Sequence, residues 1–300
     1  MRKRRASRTA TRPLTKTNLS PLRVAIIDLY DNEPNEGIRA IRELLERSDG
    51  RYFGVPVTYE RFETRYRAEI PSLDFDVYLS SGGPGSPFDG RGKPWEEGYF
   101  GWLEAVWKHN RTREAHERKH VFFICHSFQL MCRFFACARV TKRRTPSFGI
   151  LPVHKTEAGE RDPIFSKLPE PFYAADFRRW QVVQPDHARL RSLGAEILAL
   201  EKIRPHVDLE RALMAIRLSP EILGTQFHPE ADPKGMLKHF LKPERRAFVI
   251  EHHGAEKYER ILHHLREPNE LTITHDTVLP LFLKNAVARL RPEAARRKVA

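Results

Sequence analysis

In FFICHSFQLM, residues 122–131, an apolar run that begins at Val121 ends on a thiol, Cys125, after which polar and apolar residues mix. A run so short and apolar reads as a buried strand, and the segment behind it as the start of a helix. Cys125 is then either one more core residue, since free cysteine packs as a small hydrophobe, or a nucleophile launched from a strand end. Taken alone it is a core thiol. The surrounding chain has to supply the reason to read it otherwise.

Working outward, apolar runs bounded by turn residues recur, with helical patterns between them. RVAIIDLY (23–30), VPVTYERF (55–62) and FDVYLSSGGPGSP (75–87) read as three further strands, the last breaking into a glycine-proline loop. In NEGIRAIRELLER (35–47), Ile38, Ile41, Leu44 and Leu45 fall on one stripe of a helix, and residues 96–110 form a second helix with a buried aromatic side. Strands alternating with helices predict a mostly parallel sheet covered on both faces. Such sheets bind ligands at the carboxyl ends of their strands, which brings Gly82–Gly85 and Cys125 to one edge. After Pro146 the segments are short and β-rich and suit hairpins; from Gly235 onward the pattern is helical.

Composition bounds the partners. Of 300 residues, 40% are hydrophobic and 30% charged. No apolar run approaches the roughly 20 residues that cross a bilayer, so no membrane partner is expected. Three cysteines, at 125, 132 and 137, are odd in number with no CxxC pair. That argues against a disulfide framework and for a reducing cytoplasm. Cys132 and Cys137 fall on the helix after Cys125 and read as core. The net charge is +13, but eight basic residues lie within 1–23 and no acid precedes Asp28. Residues 1–21 therefore read as a solvated, disordered basic tail, with a transit peptide as the rival. Nucleic acid attraction would follow from that charge alone and is not required.

A thiol acts as a nucleophile only with a base, a group that orients the base, and N–H donors for the oxyanion. TQFHPE (225–230) offers the first two: in an extended segment His228 and Glu230 point to one face, so Glu230 can hold the ring that serves Cys125. Pro229 keeps the segment out of helix. Backbone N–H groups at Gly82–Gly83 and at His126 can supply the oxyanion donors, and glycine there lets the main chain approach a substrate.

The order of the SGGPGSP loop, a strand-Cys-helix turn with Gln129 four residues later, and a distal HPE resembles the class I glutamine amidotransferases, most of all the amidotransferase portion of GMP synthase. The likeness spans residues 22–240 and leaves 241–300 as a C-terminal helical extension. It implies a flavodoxin-like α/β fold and hydrolysis of glutamine through a thioester on Cys125. His228 would be base and then acid, Glu230 its orienting group, Gly83 and His126 the oxyanion donors, and Gln129 and Gly82 substrate contacts. No cofactor or metal is implied. Ammonia would be released or passed to a separate synthetase subunit, since no pyrophosphatase domain follows in this sequence.

Two positions depart from the family's G-x-C-x-G-x-Q: Phe123 and Ser127 stand where it has glycine. Ser127 is small enough for a sharp turn, whereas the Phe123 ring must be housed. Two rival functions keep the scaffold: an acyltransferase of the homoserine O-acyltransferase type using the same three residues, and an inactive binding or regulatory protein. Elsewhere the plainer readings hold. Gly82–Gly85 lacks the lysine of a P-loop. His116 and His120 sit in a charged run that reads as a solvated face, and the paired histidines at 252–253 and 263–264 as helix surface. The arginines beside Trp180 either bind an anion or lie on an exposed strand.

Overall fold

The computed structural model describes residues 20–47, 53–205 and 209–292; the basic tail, apart from its last two residues, lies outside them. The strands are β1 (Leu22–Ile27), β2 (Val57–Phe62), β3 (Val77–Ser80), β4 (His120–Ile124), β5 (Ala138–Lys155), β6 (Phe172–Pro185), β7 (Glu196–Glu201), β8 (Leu213–Ser219) and β9 (Ile222–Thr225). The helices are α1 (Glu36–Glu46), α2 (Thr64–Arg67), α3 (Pro94–Thr112), α4 (His126–Phe135), α5 (Glu157–Arg161), α6 (His187–Leu193), α7 (Pro233–Phe240), α8 (Pro243–His253), α9 (Ala255–Arg266) and α10 (Leu271–Leu290).

One sheet runs in the order β2-β1-β3-β4-β9-β8-β7-β5-β6. Its first five strands are parallel, as the alternating pattern predicts, and the other four add to β9 antiparallel. Residues of the central strands β3 and β4 are buried throughout, because helices cover both faces. On one face α1 and α10 pack with Ile26, Leu79, Phe122 and Leu223; on the other α3 and α4 pack with Ile27, Tyr78, Phe123 and Ile222. The α1 stripe is buried as its spacing requires, and Asn35 caps the helix by accepting from the Ile38 N–H at 2.8 Å.

A third apolar cluster joins α7, α8 and α9 to Ile150 and Ala175 of the β5–β6 hairpin. The C-terminal helices thus divide. α10 packs behind the sheet, while α8 reaches the rim where the parallel strands end.

Four surface or helix readings need correction. His120 opens β4 and is 1% exposed, because it belongs to the buried strand and not to the charged run before it. Cys137 lies beyond the end of α4, although it is buried as expected. Arg178 is buried on β6, not exposed, and held by Asp176 and Glu201 at 2.7 and 3.1 Å. Among the paired histidines only His252 and His263 are exposed; His253 stacks on Phe148, and the half-buried His264 bonds Glu270 at 2.6 Å.

Candidate active site

Parallel β4 ends at Ile124 and α4 begins at His126, so Cys125 alone must turn the chain. It does so at φ 49° and ψ −96°, a left-handed conformation that costs a non-glycine residue on the order of 1–3 kcal/mol. The surroundings impose it. The Cys125 N–H donates to the Thr225 carbonyl at 2.8 Å. The Ser127 hydroxyl accepts from the Ile124 N–H at 2.8 Å and donates to the Ser80 carbonyl at 2.7 Å. Ser127 is therefore a brace that spans β3 and the turn. The Phe123 ring lies in the α3–α4 cluster with no exposure, so a bulky residue before the turn is accommodated by the core and kept away from the thiol.

His228 follows β9 and is drawn across to the hairpin by a bridge to Ala175, whose carbonyl accepts the His228 N–H at 2.9 Å. Its Nδ1 meets the Glu230 carboxylate at 2.7 Å, and the ring lines one cavity together with Cys125. Burial disfavours the charged imidazole. The Glu230 charge, the adjacent Cys125 and the hydrogen bonds to both outweigh it, and the His228 pKa is held well above its ordinary value. Glu230 is 2% exposed and anchors the ring from the protein side.

The glycine loop closes the site from β3. A Cβ on Gly82 would stand 2.9 Å from His228 Cε1, and one on Gly83 would collide with the Leu29 carbonyl. Only glycine fits either place. Gly83 lines the cavities on both sides of Cys125. The His126 N–H opens α4, where no intrahelical acceptor exists. The His126 ring is buried, and burial, with Arg65 and Arg133 nearby, pushes its pKa down to about 3; it stays neutral.

Gln129 lines the cavity as expected, but its side chain also donates to Gln226 at 3.2 Å, and Gln226 in turn donates to the Cys125 sulfur at 3.6 Å. Gln226 escaped the sequence reading, and the segment is not the extended one expected: β9 ends at Thr225, residues 226–227 bend, and 229–230 form a turn that still brings Glu230 to the His228 ring. Tyr30 also escaped notice. It is half-buried against the core, and desolvation first, then Glu230, Cys125 and Asp28, raises its pKa. Two cavities of about 530 and 620 Å³ flank the thiol. Phe177 of β6 and Arg245 of α8 border both, and no local pattern announces either. Among the described residues no cluster of three or more His, Cys, Asp or Glu is arranged for a metal, and no helix is long and apolar enough to cross a membrane.

A strained thiol, an imidazole and a carboxylate meet at the carboxyl edge of a parallel sheet, a site suited to nucleophilic attack on an acyl carbon. The chain belongs to the class I glutamine amidotransferases: the family model "Glutamine amidotransferase class-I" matches residues 39–246. The fold is similar to a glutamine amidotransferase from Thermotoga maritima, with TM-score 0.63 and 14% identity, over 91% of this chain and 99% of that one. It is similar also to a glutamine amido transferase from Methylobacillus flagellatus, with TM-score 0.59 and 16% identity over 92% and 96% of the two chains. The glutaminase domain of Trypanosoma brucei CTPS with bound acivicin matches at TM-score 0.51 and 16% identity, over 70% and 86%. No match was found among curated proteins.

Proposed function

We propose that this chain hydrolyses the side-chain amide of glutamine through a thioester on Cys125. The observation that carries this reading is the joint geometry of Cys125 at its strained turn, His228 on the wall of the same cavity, and Glu230 at 2.7 Å from the ring. The Cys125 sulfur, having given its proton to His228, attacks the amide carbon. The resulting oxyanion lies against the N–H groups of Gly83 and His126, and Gly82 and Gln129 border the bound substrate. His228 returns the proton to the leaving nitrogen, and ammonia departs. A water then gives a proton to His228 and attacks the thioester, which releases glutamate and restores the thiol. Glu230 keeps the ring aligned and stabilises its charged form.

In this reading residues 22–240 form the amidotransferase domain and 241–300 a helical extension. Ammonia is released or received by a separate synthetase subunit. Three free cysteines favour a reducing compartment such as the cytoplasm. Housing of the Phe123 ring away from the thiol supports an active site over a retired scaffold.

The test is direct. Purified protein given glutamine should form glutamate and ammonia, alone or with an acceptor subunit, and Cys125→Ala should abolish both. Turnover that survives Cys125→Ala would overturn the reading. So would acylation of Cys125 by an acyl-CoA with no glutamine turnover.

A further inference from the structure

Five residues border both cavities beside the thiol: Gly83, Pro84, Cys125, Phe177 and Arg245. Four come from the sheet edge and its loops. Arg245 is delivered by α8, near the end of the stretch that the family model matches.

Its surroundings are unusual for a cation. Among the described residues no carboxylate pairs with it, and its Nε is buried without a hydrogen-bond partner. The rings of Phe148, Phe240 and Phe248 lie 5.7, 5.5 and 5.1 Å from the guanidinium carbon. Cation–π contacts of this kind use none of the guanidinium's N–H donors, and a planar guanidinium can offer two of them to one acceptor. Arg245 also sits in the first turn of α8, the end of a helix where a cation is disfavoured and an anion welcome. Burial lowers its pKa. The other buried arginine of the cavity wall, Arg178, contrasts with it: two carboxylates already hold it. A half-buried guanidinium with open donors, at the junction of two cavities that share the thiol, is built to receive an anion.

We propose that Arg245 binds a carboxylate of the substrate that Cys125 attacks, so that α8 supplies a specificity residue; this rests on the amide-hydrolase reading above. Two carboxylates fit the chemistry: the α-carboxylate of the glutamyl half, or one carried by the amine half of a larger γ-glutamyl amide. The roomy cavities admit either.

The test compares wild type with Arg245→Met and Arg245→Lys on glutamine, γ-glutamylethylamide and γ-glutamylglycine, with 4-aminobutyramide as the carboxylate-free control. Loss of a charge-assisted pair raises KM roughly tenfold to hundredfold, with a smaller effect on kcat. A rise for all three γ-glutamyl substrates assigns the α-carboxylate; a rise confined to γ-glutamylglycine assigns the amine half. Either supports the proposal, and Arg245→Lys should recover only part of the affinity, because an ammonium keeps the charge but lacks the planar fork. Unchanged KM on all three, in a variant that melts like wild type, overturns it. If wild type hydrolyses none of them, the hydrolase reading has failed. The anchor is then judged by calorimetry of γ-glutamylglycine binding to Cys125→Ala with and without Arg245→Met. Equal affinities, or no binding, overturn the anchor as well.

Discussion

At the scale of single residues, the imidazole of His228 is governed by opposing influences. Burial drives its pKa down, and the Glu230 charge is the first of those that drive it up. A histidine that titrates higher folded than unfolded contributes stability that is fully present below pH of about 6.5 and lost as pH rises through the native value. Glu230→Gln keeps the shape and removes the largest of the influences that raise the pKa. The His228 titration, followed by imidazole proton NMR, should therefore move downward, and the high-pH loss of stability in urea unfolding should shrink. Glutamine turnover should fall on the order of 10²–10⁴-fold, as expected when a catalytic ring loses its orienting carboxylate. An unmoved titration would mean that Glu230 is only a structural partner.

At the scale of elements, α10 was legible as an amphipathic helix, but its place was not. Phe282 is 2% exposed and sets its ring 5.1 Å from Phe122 and 6.1 Å from His120. It covers the strand that presents the thiol. Phe282→Ala should cost about 3–5 kcal/mol by cavity formation, measured by chemical denaturation. A loss under about 1 kcal/mol would show that α10 is not integral to the fold. The turn after β4 teaches the same lesson from the other side. Ser127 and Phe123 look like defects beside a glycine pattern, yet one braces the turn and the other fills the core. Which of these a substitution does depends on the facing elements, β3 and α3, far off in sequence.

At the scale of the whole molecule, the cavity wall is assembled from both halves of the sheet. Arg178 of β6 bonds Asp176 and reaches Glu201 of β7, which Arg143 of β5 also meets at 3.0 Å. Ser147 closes the network onto Asp176 at 2.7 Å. The network ties β5, β6 and β7 together, and Ser147 and Arg178 bring it to the wall of the cavity that Cys125 lines. Arg178→Met would leave Asp176 buried without its cation and Glu201 with a weakened set. That should destabilise the protein by roughly 3–5 kcal/mol in a denaturation series. A near-neutral result would show that Ser147, Arg143 and water suffice.

The sequence alone determined the parallel strand-helix order and the thiol at a strand end, both encoded in the chemistry and periodicity of neighbouring residues. It also set Glu230 within reach of His228, although a turn and not an extended strand brings them together. Only the tertiary structure decided that Tyr30, Phe177 and Arg245 share that rim, and that α8 comes forward while α10 goes behind. Those placements depend on contacts between segments distant in the chain, and hydrophobic spacing says that a face is buried without saying against what.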